Sequence, residues 1–220
     1  MSTKENLAPL RETRFTALLS DCLDQVGLRG QAMPSRIRPL DEAKIMVGRA
    51  RTGAYMEVYH VEEGLNPYEL EMDLIDSLLP DEIPVFACSN PARVAPWGEL
   101  LSTAAQVRGA AGAVMDGCVR DIKAIRAMGF PVFHGGIAPL DSKGRARVMA
   151  IDVPIECAGV AVVSGDLVFG DADGLVVVPR AAEEEVLALA VKKLAGERDT
   201  LAELREGKTL REVFDRYGIL

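Results

Sequence analysis

The chain has 220 residues, with 33 acids against 25 lysines and arginines and a formal net charge of −8. That balance excludes a general attraction to the nucleic-acid backbone, and no local basic patch offsets it. Hydrophobic residues make up 49% of the chain, but no apolar run approaches the roughly 20 residues of a membrane-spanning helix. A globular protein with a sizeable core is expected, located in the cytoplasm, with neither nucleic acid nor membrane as partner.

Residues 1–14 are polar and read as peripheral, with no apolar core of signal-peptide length. From Phe15 to Val26 the pattern is an amphipathic helix, with Leu18, Leu19, Cys22, Leu23 and Val26 on one face. Residues 45–61 have strand character, with Gly48 and Gly53 read as bends or bulges. Asn66-Pro67 opens a second helical pattern whose apolar side is Leu70, Met72, Leu74, Ile75, Leu78 and Leu79. After the turn at Pro80-Asp81, IPVFACS is a short strand.

Gly98 begins a helix that runs to about Arg108. Residues 111–117 read as a buried strand ending in a turn, and IKAIRAMG is a short helix stopped by Gly129. Asp141-Ser142-Lys143-Gly144 reads as a turn. Beyond it, strands and turns alternate, with a hairpin signal at Asp173-Gly174. The tail from about 181 to 215 is helical, with Gly196 and Gly207 as candidate breaks. The acids at its start and the lysines after them suit the helix dipole. The alternation of helix and strand predicts an α/β fold, a layered sandwich whose topology patterning alone does not fix, in a single domain over 1–220 with the helical tail attached.

The chemistry concentrates between Trp97 and Gly136. The first turn of a helix has backbone N–H groups without partners, and at Gly98, Glu99, Leu100 and Leu101 they form a candidate carboxylate site. Gly98 lets a ligand approach that backbone. Arg120-Asp121 follows, where a strand hands over to a helix; in open α/β sheets that crevice binds ligands. Plain structural readings exist for both: a loop-to-helix junction at Gly98, and a helix N-cap at Asp121. Together, one carboxylate and one guanidinium suit a 2-oxo acid with a divalent cation. Magnesium takes oxygen ligands and often only one or two protein carboxylates, so Asp121 is the candidate metal ligand. Arg120 is placed to stabilise a developing enolate.

These features resemble the RraA-like family. The residues that carry the likeness are Trp97-Gly98-Glu99-Leu100, Arg108-Gly109, Asp116-Gly117, Arg120-Asp121, Gly129-Phe130-Pro131-Val132, Gly165-Asp166 and Asp171-Ala172-Asp173-Gly174. The family's aldolases carry an acid, twenty intervening residues and then Arg-Asp; here Glu99 is followed by Leu100 to Val119 and then Arg120-Asp121. The resemblance implies a layered αββα sandwich of the swivelling β/β/α type. It implies a class II aldolase for 4-hydroxy-4-methyl-2-oxoglutarate or 4-carboxy-4-hydroxy-2-oxoadipate that also decarboxylates oxaloacetate.

It further implies a homotrimer or homohexamer with sites between subunits, and Mg²⁺ or Mn²⁺ at Asp121. Arg120 would bind the keto oxygen, and the amides of Gly98, Glu99, Leu100 and Leu101 the carboxylate. Glu99 would orient a water at the metal, joined by a tail acid of the neighbouring subunit, for which Glu197 is the candidate. One departure stands out: the first acid, Glu99, is Asp in most of the family. The family also includes a regulator that inhibits ribonuclease E, so a non-catalytic binding role is the alternative from another functional class.

The remaining reactive residues have structural explanations. His60 and His134 read as surface or packed, and Lys123 as solvated rather than a Schiff-base amine. Asp166, Asp171 and Asp173 lack the spacing of a calcium loop and fit turns. Cys22, Cys88, Cys118 and Cys157 are scattered, with no zinc spacing, as expected of reduced thiols. No glycine-rich nucleotide loop supports a methyltransferase.

Overall fold

The structure is a computed structural model that describes residues 16–219. The polar segment 1–14 and Phe15 lie outside the described residues. Helix α1 (Thr16–Gln25) buries Leu18, Leu19, Cys22 and Leu23, the face its periodicity predicts. Each buried leucine contributes about 1.5–3 kcal/mol. The short strand β1 (Arg38–Pro39) leads to β2 (Met46–Glu57), α2 (Glu69–Asp76), β3 (Glu82–Cys88), α3 (Glu99–Val107), β4 (Ala113–Val119), α4 (Ile122–Met128) and β5 (Val132–Ile137). Then come β6 (Ala146–Ile151), β7 (Ile155–Cys157), β8 (Val160–Val162), β9 (Leu167–Gly170), β10 (Leu175–Val178), α5 (Glu183–Arg205) and α6 (Leu210–Tyr217).

Among the described residues the main sheet has eight strands in the order β1-β5-β4-β3-β2-β9-β10, with β6 also on β2. Strands β2 to β5 are mutually parallel. Parallel neighbours need crossovers, and α2, α3 and α4 supply them. These helices pack Leu74, Ile75, Leu78, Ala105 and Ile125 against Phe86, Met115, Val119 and Trp97 on one face of the sheet. On the other face Val85, Val114 and Phe133 meet Val168 and Val177 of the β9–β10 hairpin and Ile155 and Val162 of the β7–β8 hairpin. The outer side of β9–β10 is covered by α1 and α5. The layers run helix, sheet, sheet, helix, because the sheet curls until its ends approach. Arg38 on β1 donates to the carbonyls of Ala172 (2.8 Å) and Asp173 (3.0 Å) in the β9–β10 turn, bridging the gap.

Several local expectations are corrected. Strand β2 ends at Glu57, and both glycines lie in regular pairing, Gly53 with Phe86 of β3 and Gly48 with Val168 of β9. They are needed for close approach: a Cβ on Gly53 would sit 2.5 Å from the Phe86 ring, and one on Gly48 would strike the Asp81 carbonyl. The irregularity in β2 falls at Ala54/Tyr55. Asp116-Gly117 is no turn, because β4 continues to Val119 with a register shift between Met115 and Cys118. The buried Asp116 carboxylate accepts from the amides of Cys88 (2.7 Å) and Ala158 (3.0 Å), satisfying the irregular backbone around it. Burial raises its pKa, partly countered by those two bonds. Gly196 does not interrupt α5; Ile219 packs where its Cβ would be, whereas Gly207 (φ 91°) does follow the helix end.

Candidate active site at the carboxyl end of strand β4

The site is built by one backbone alignment. Residues 94–98 run alongside the end of β4, with Trp97 bridged in parallel to Val119 and the Arg120 amide donating to the Trp97 carbonyl at 2.9 Å. Trp97 is fully buried and stacks on Phe130 with ring planes 9° apart. Its indole N–H donates to Ser102 Oγ at 2.7 Å, and that hydroxyl donates to the Gly98 carbonyl at 2.9 Å. The aromatic anchor therefore fixes the start of α3 against Arg120-Asp121. The register shift in β4 lies just upstream, and such irregularities re-aim the residues that follow them.

Gly98 is the N-cap of α3 in extended backbone, with φ −154°. A Cβ there would lie 2.6 Å from Asp121 Oδ2 and 3.2 Å from Arg120 Cγ. Close approach, not an unusual φ, is what requires glycine. Asp121 stands at the N-cap position of α4 but does not cap it with its side chain. Its backbone is left-handed, with φ 57°, a conformation Asp tolerates better than most residues and one that clusters at functional sites. The side chain turns to the other helix: Oδ2 accepts from the Glu99 amide at 3.2 Å. The Glu99 amide is thus engaged by Asp121, while those of Leu100 and Leu101, in the first turn, lack a carbonyl one turn back in the helix.

Arg120 lies between two acids. Its Nε is 3.8 Å from Asp121 Oδ2, and its Nη1 is 3.6 Å from Asp141 Oδ1 and donates to the Leu140 carbonyl at 3.2 Å. Two open clefts flank Asp121. One is lined by Glu99, Asp121, Lys123 and Ala127. The other is lined by Arg120, Asp121, Ile137 and Pro139. Leu100 (82% exposed) and Ile137 (55%) leave apolar surface on the same rim.

The fold therefore brings Gly98, Glu99, Leu100, Leu101, Arg120 and Asp121 together. It leaves Glu197 elsewhere within the chain: Glu197 is on α5, which packs on α1, and its charge is felt at Cys22, whose thiol is raised chiefly by burial. Sequence reasoning missed three residues behind Arg120. Tyr68 donates from its hydroxyl to Asp141 Oδ2 at 2.9 Å. Burial, with Asp141 as its acceptor, pushes Tyr68 up to about 12. Glu71, only 5% exposed, is raised to about 7 by burial, with Arg120 and Asp141 among the charges it senses. Glu71 Oε2 and Tyr55 Oη are buried and among the described residues have no hydrogen-bond partner of good geometry, although each is close enough to affect the other's proton. The available signal was spacing: Glu71 falls on the same helical stripe as Leu74, Ile75 and Leu78.

The other candidates fall where the sequence puts them. His134 is buried on β5, its pKa lowered by burial, and Lys123 is exposed. Asp166 accepts from the amide of Val163 (2.8 Å) and Asp171 from that of Asp173 (2.9 Å), the bonds of turns, and each also ties its turn to a distant segment, Asp166 through the Arg180 amide (3.0 Å) and Asp171 through the Thr16 amide (3.1 Å).

Among the described residues no three His, Cys, Asp or Glu side chains cluster as a closed metal cage. The donor chemistry at Asp121, 46% exposed and beside Glu99, fits instead an open Mg²⁺ or Mn²⁺ site with one or two protein carboxylates and the remaining positions left to water and substrate. No helix among the described residues is long and apolar enough to cross a membrane.

A family model described as RraA-like, Aldolase/RraA, matches residues 16–177. A protein of Halalkalibacterium halodurans, provisionally named as a 4-hydroxy-4-methyl-2-oxoglutarate aldolase, is 38% identical over 180 residues, covering 82% of this chain and 80% of its own. A crystal structure of an uncharacterized protein from Pseudomonas syringae pv. tomato superposes with a TM-score of 0.82 at 28% identity, over 95% of this chain and 96% of that one. Streptomyces coelicolor RraAS2, described as an unusual member of the RNase ES inhibitor RraA family, superposes with a TM-score of 0.77 at 25% identity, over 94% and 98% of the two chains. By the extent of these matches and by its layered fold, the chain belongs to the RraA-like family.

Proposed function

We propose that the protein is a divalent-metal-dependent carbon–carbon lyase that cleaves 4-hydroxy-2-oxo acids of the 4-hydroxy-4-methyl-2-oxoglutarate type to pyruvate and decarboxylates oxaloacetate. The observation that carries the reading is the convergence of the α3 N-terminus, the Arg120 guanidinium and the Asp121 carboxylate on one open crevice. The provisional aldolase name of the H. halodurans relative supports the same class.

In this reading the free amides of the first turn of α3, with Gly98 clearing the approach, hold the substrate carboxylate. Arg120 donates to the 2-keto oxygen. Asp121, with Glu99 beside it, would hold Mg²⁺ or Mn²⁺, which when bound supplies Lewis-acid polarisation of that keto group. Glu99, through solvent, takes the proton of the 4-hydroxyl. The C3–C4 bond breaks, its electron pair passes into the enolate of pyruvate, and the hydroxyl carbon leaves as a carbonyl. Arg120 balances the enolate charge until a proton returns to C3. Loss of CO₂ from oxaloacetate leaves the same enolate. Glu197 of a neighbouring copy, in a homotrimer or homohexamer, would join Glu99 in proton transfer; the exposed Leu100 and Ile137 on the rim suit a site finished by another subunit.

The test is pyruvate release from 4-hydroxy-4-methyl-2-oxoglutarate and from oxaloacetate. The reading expects Mg²⁺-dependent turnover that a chelator abolishes, with no covalent adduct trapped by borohydride on Lys123. No pyruvate above the metal-only blank from a folded sample would overturn it. The second reading, a binding regulator of an RNA-processing enzyme, draws on the likeness to RraAS2. It requires stable association with that enzyme and leaves Arg120 without a task.

A further inference from the structure

Arg120 is held from behind by a second set of residues, drawn from two segments remote in sequence. Its Nη1 donates to the Leu140 carbonyl (3.2 Å) and faces Asp141 Oδ1 at 3.6 Å. Asp141 is itself fixed at both oxygens: Oδ1 accepts from the Ser142 amide (2.8 Å) and Oδ2 from the Tyr68 hydroxyl (2.9 Å). Tyr68 precedes α2, Asp141 lies between β5 and β6, and Arg120 follows β4, so only the tertiary fold unites them.

The geometry points to Asp141, braced by Tyr68, as a positioning residue that sets the Arg120 guanidinium for the substrate's keto oxygen. The inference rests on the lyase reading for the identity of that oxygen. Three considerations support it. An arginine side chain has many rotamers, and a bond at one end of the fork removes most of them before substrate arrives. The tether uses Nη1 and the Nε edge faces Asp121, which leaves Nη2 without a hydrogen bond among the described residues and free to donate. Finally, Glu71 is not fixed as Asp141 is: it is buried and its Oε2 has no hydrogen-bond partner among the described residues, whereas Asp141 has a donor on each oxygen.

The experiment is a double-mutant cycle read by binding of oxalate, a mimic of the pyruvate enolate, in the presence of Mg²⁺. Asp141→Asn is expected to weaken oxalate about tenfold and Tyr68→Phe about threefold, with thermal unfolding close to wild type. In an Arg120→Ala background Asp141→Asn should change affinity less than twofold, because its effect passes through Arg120. An equal loss in both backgrounds, or wild-type affinity in Asp141→Asn, would overturn the inference.

A second measurement does not depend on the ligand. The Arg120 Nε–H resonance, assigned by its disappearance in Arg120→Ala, should exchange with solvent about tenfold faster in Asp141→Asn; unchanged exchange overturns the positioning role. A wild-type protein that neither binds oxalate nor forms pyruvate would overturn the lyase reading, while this resonance still decides whether Asp141 orders Arg120.

Discussion

Asp121 Oδ2 accepts a hydrogen bond from the backbone amide of Glu99, 3.2 Å away across 22 residues, so a carboxylate at the head of one helix closes the head of another. The pairing needs a glycine at position 98. Gly98→Ala keeps an allowed backbone, since φ is −154°, but its Cβ would meet Asp121 Oδ2 at 2.6 Å. The expected outcome is a fall in kcat/KM of about 10²-fold, the cost of an ångström-scale misplacement, with little change in unfolding midpoint. Wild-type kinetics in this variant would show that the close approach of Gly98 to Asp121 does not set the site.

Glu71 gives a pH signature. Its carboxyl is raised from 4.5 to about 7 in the folded state, mainly by burial. The folded protein therefore binds this proton more tightly than the unfolded chain. The cost of ionising Glu71 is absent below about pH 4.5, grows as pH rises, and is fully present above about pH 7, where it is on the order of 3 kcal/mol. Glu71→Gln should therefore stabilise the protein more at pH 8 than at pH 5, as read by urea unfolding. A stability difference that is the same at both values would mean that Glu71 does not titrate as described.

Ser102→Ala tests the anchor. It removes the hydrogen-bond acceptor of the indole N–H of Trp97, a fully buried side chain. A loss of about 1–3 kcal/mol in denaturant unfolding is expected. A loss below about 0.5 kcal/mol would show that the Trp97–Ser102–Gly98 chain contributes little to fixing α3.

Glu99 is exposed at the surface. Glu99→Gln should leave the unfolding midpoint near wild type and lower kcat for the aldol cleavage by about 10²–10⁴-fold, the usual range for a proton-transfer group. Oxaloacetate decarboxylation, which has no hydroxyl proton to remove, should fall much less. Equal losses in both reactions would reassign Glu99 to binding.

The parts of the site that follow one another closely in the chain were legible. Gly98, Arg120 and Asp121 could be read because a helix start and a strand-to-helix handover leave marks in local sequence, and Glu99 through its spacing from Arg120-Asp121, which resembles the family's. The layered fold was legible for a similar reason, through alternating helix and strand. What escaped depended on tertiary contact. Gly48 and Gly53 look like bends but are clearances for Asp81 and Phe86. Asp116-Gly117 looks like a turn, but burial and two amide donors hold Asp116 inside β4. Asp141 looks like an ordinary turn residue until Tyr68 and Arg120 meet it. Even Asp121, placed correctly as an N-cap, directs its side chain to a different helix.

In the proposed lyase reaction Arg120 stabilises a pyruvate enolate at this crevice. This role is tested most directly by pyruvate release from oxaloacetate with Mg²⁺, wild type against Arg120→Ala, each measured over the metal-only blank and with folding verified. Turnover is expected in the wild type, with a loss of at least about 10²-fold in kcat/KM for the variant. Undiminished pyruvate formation by Arg120→Ala would contradict it.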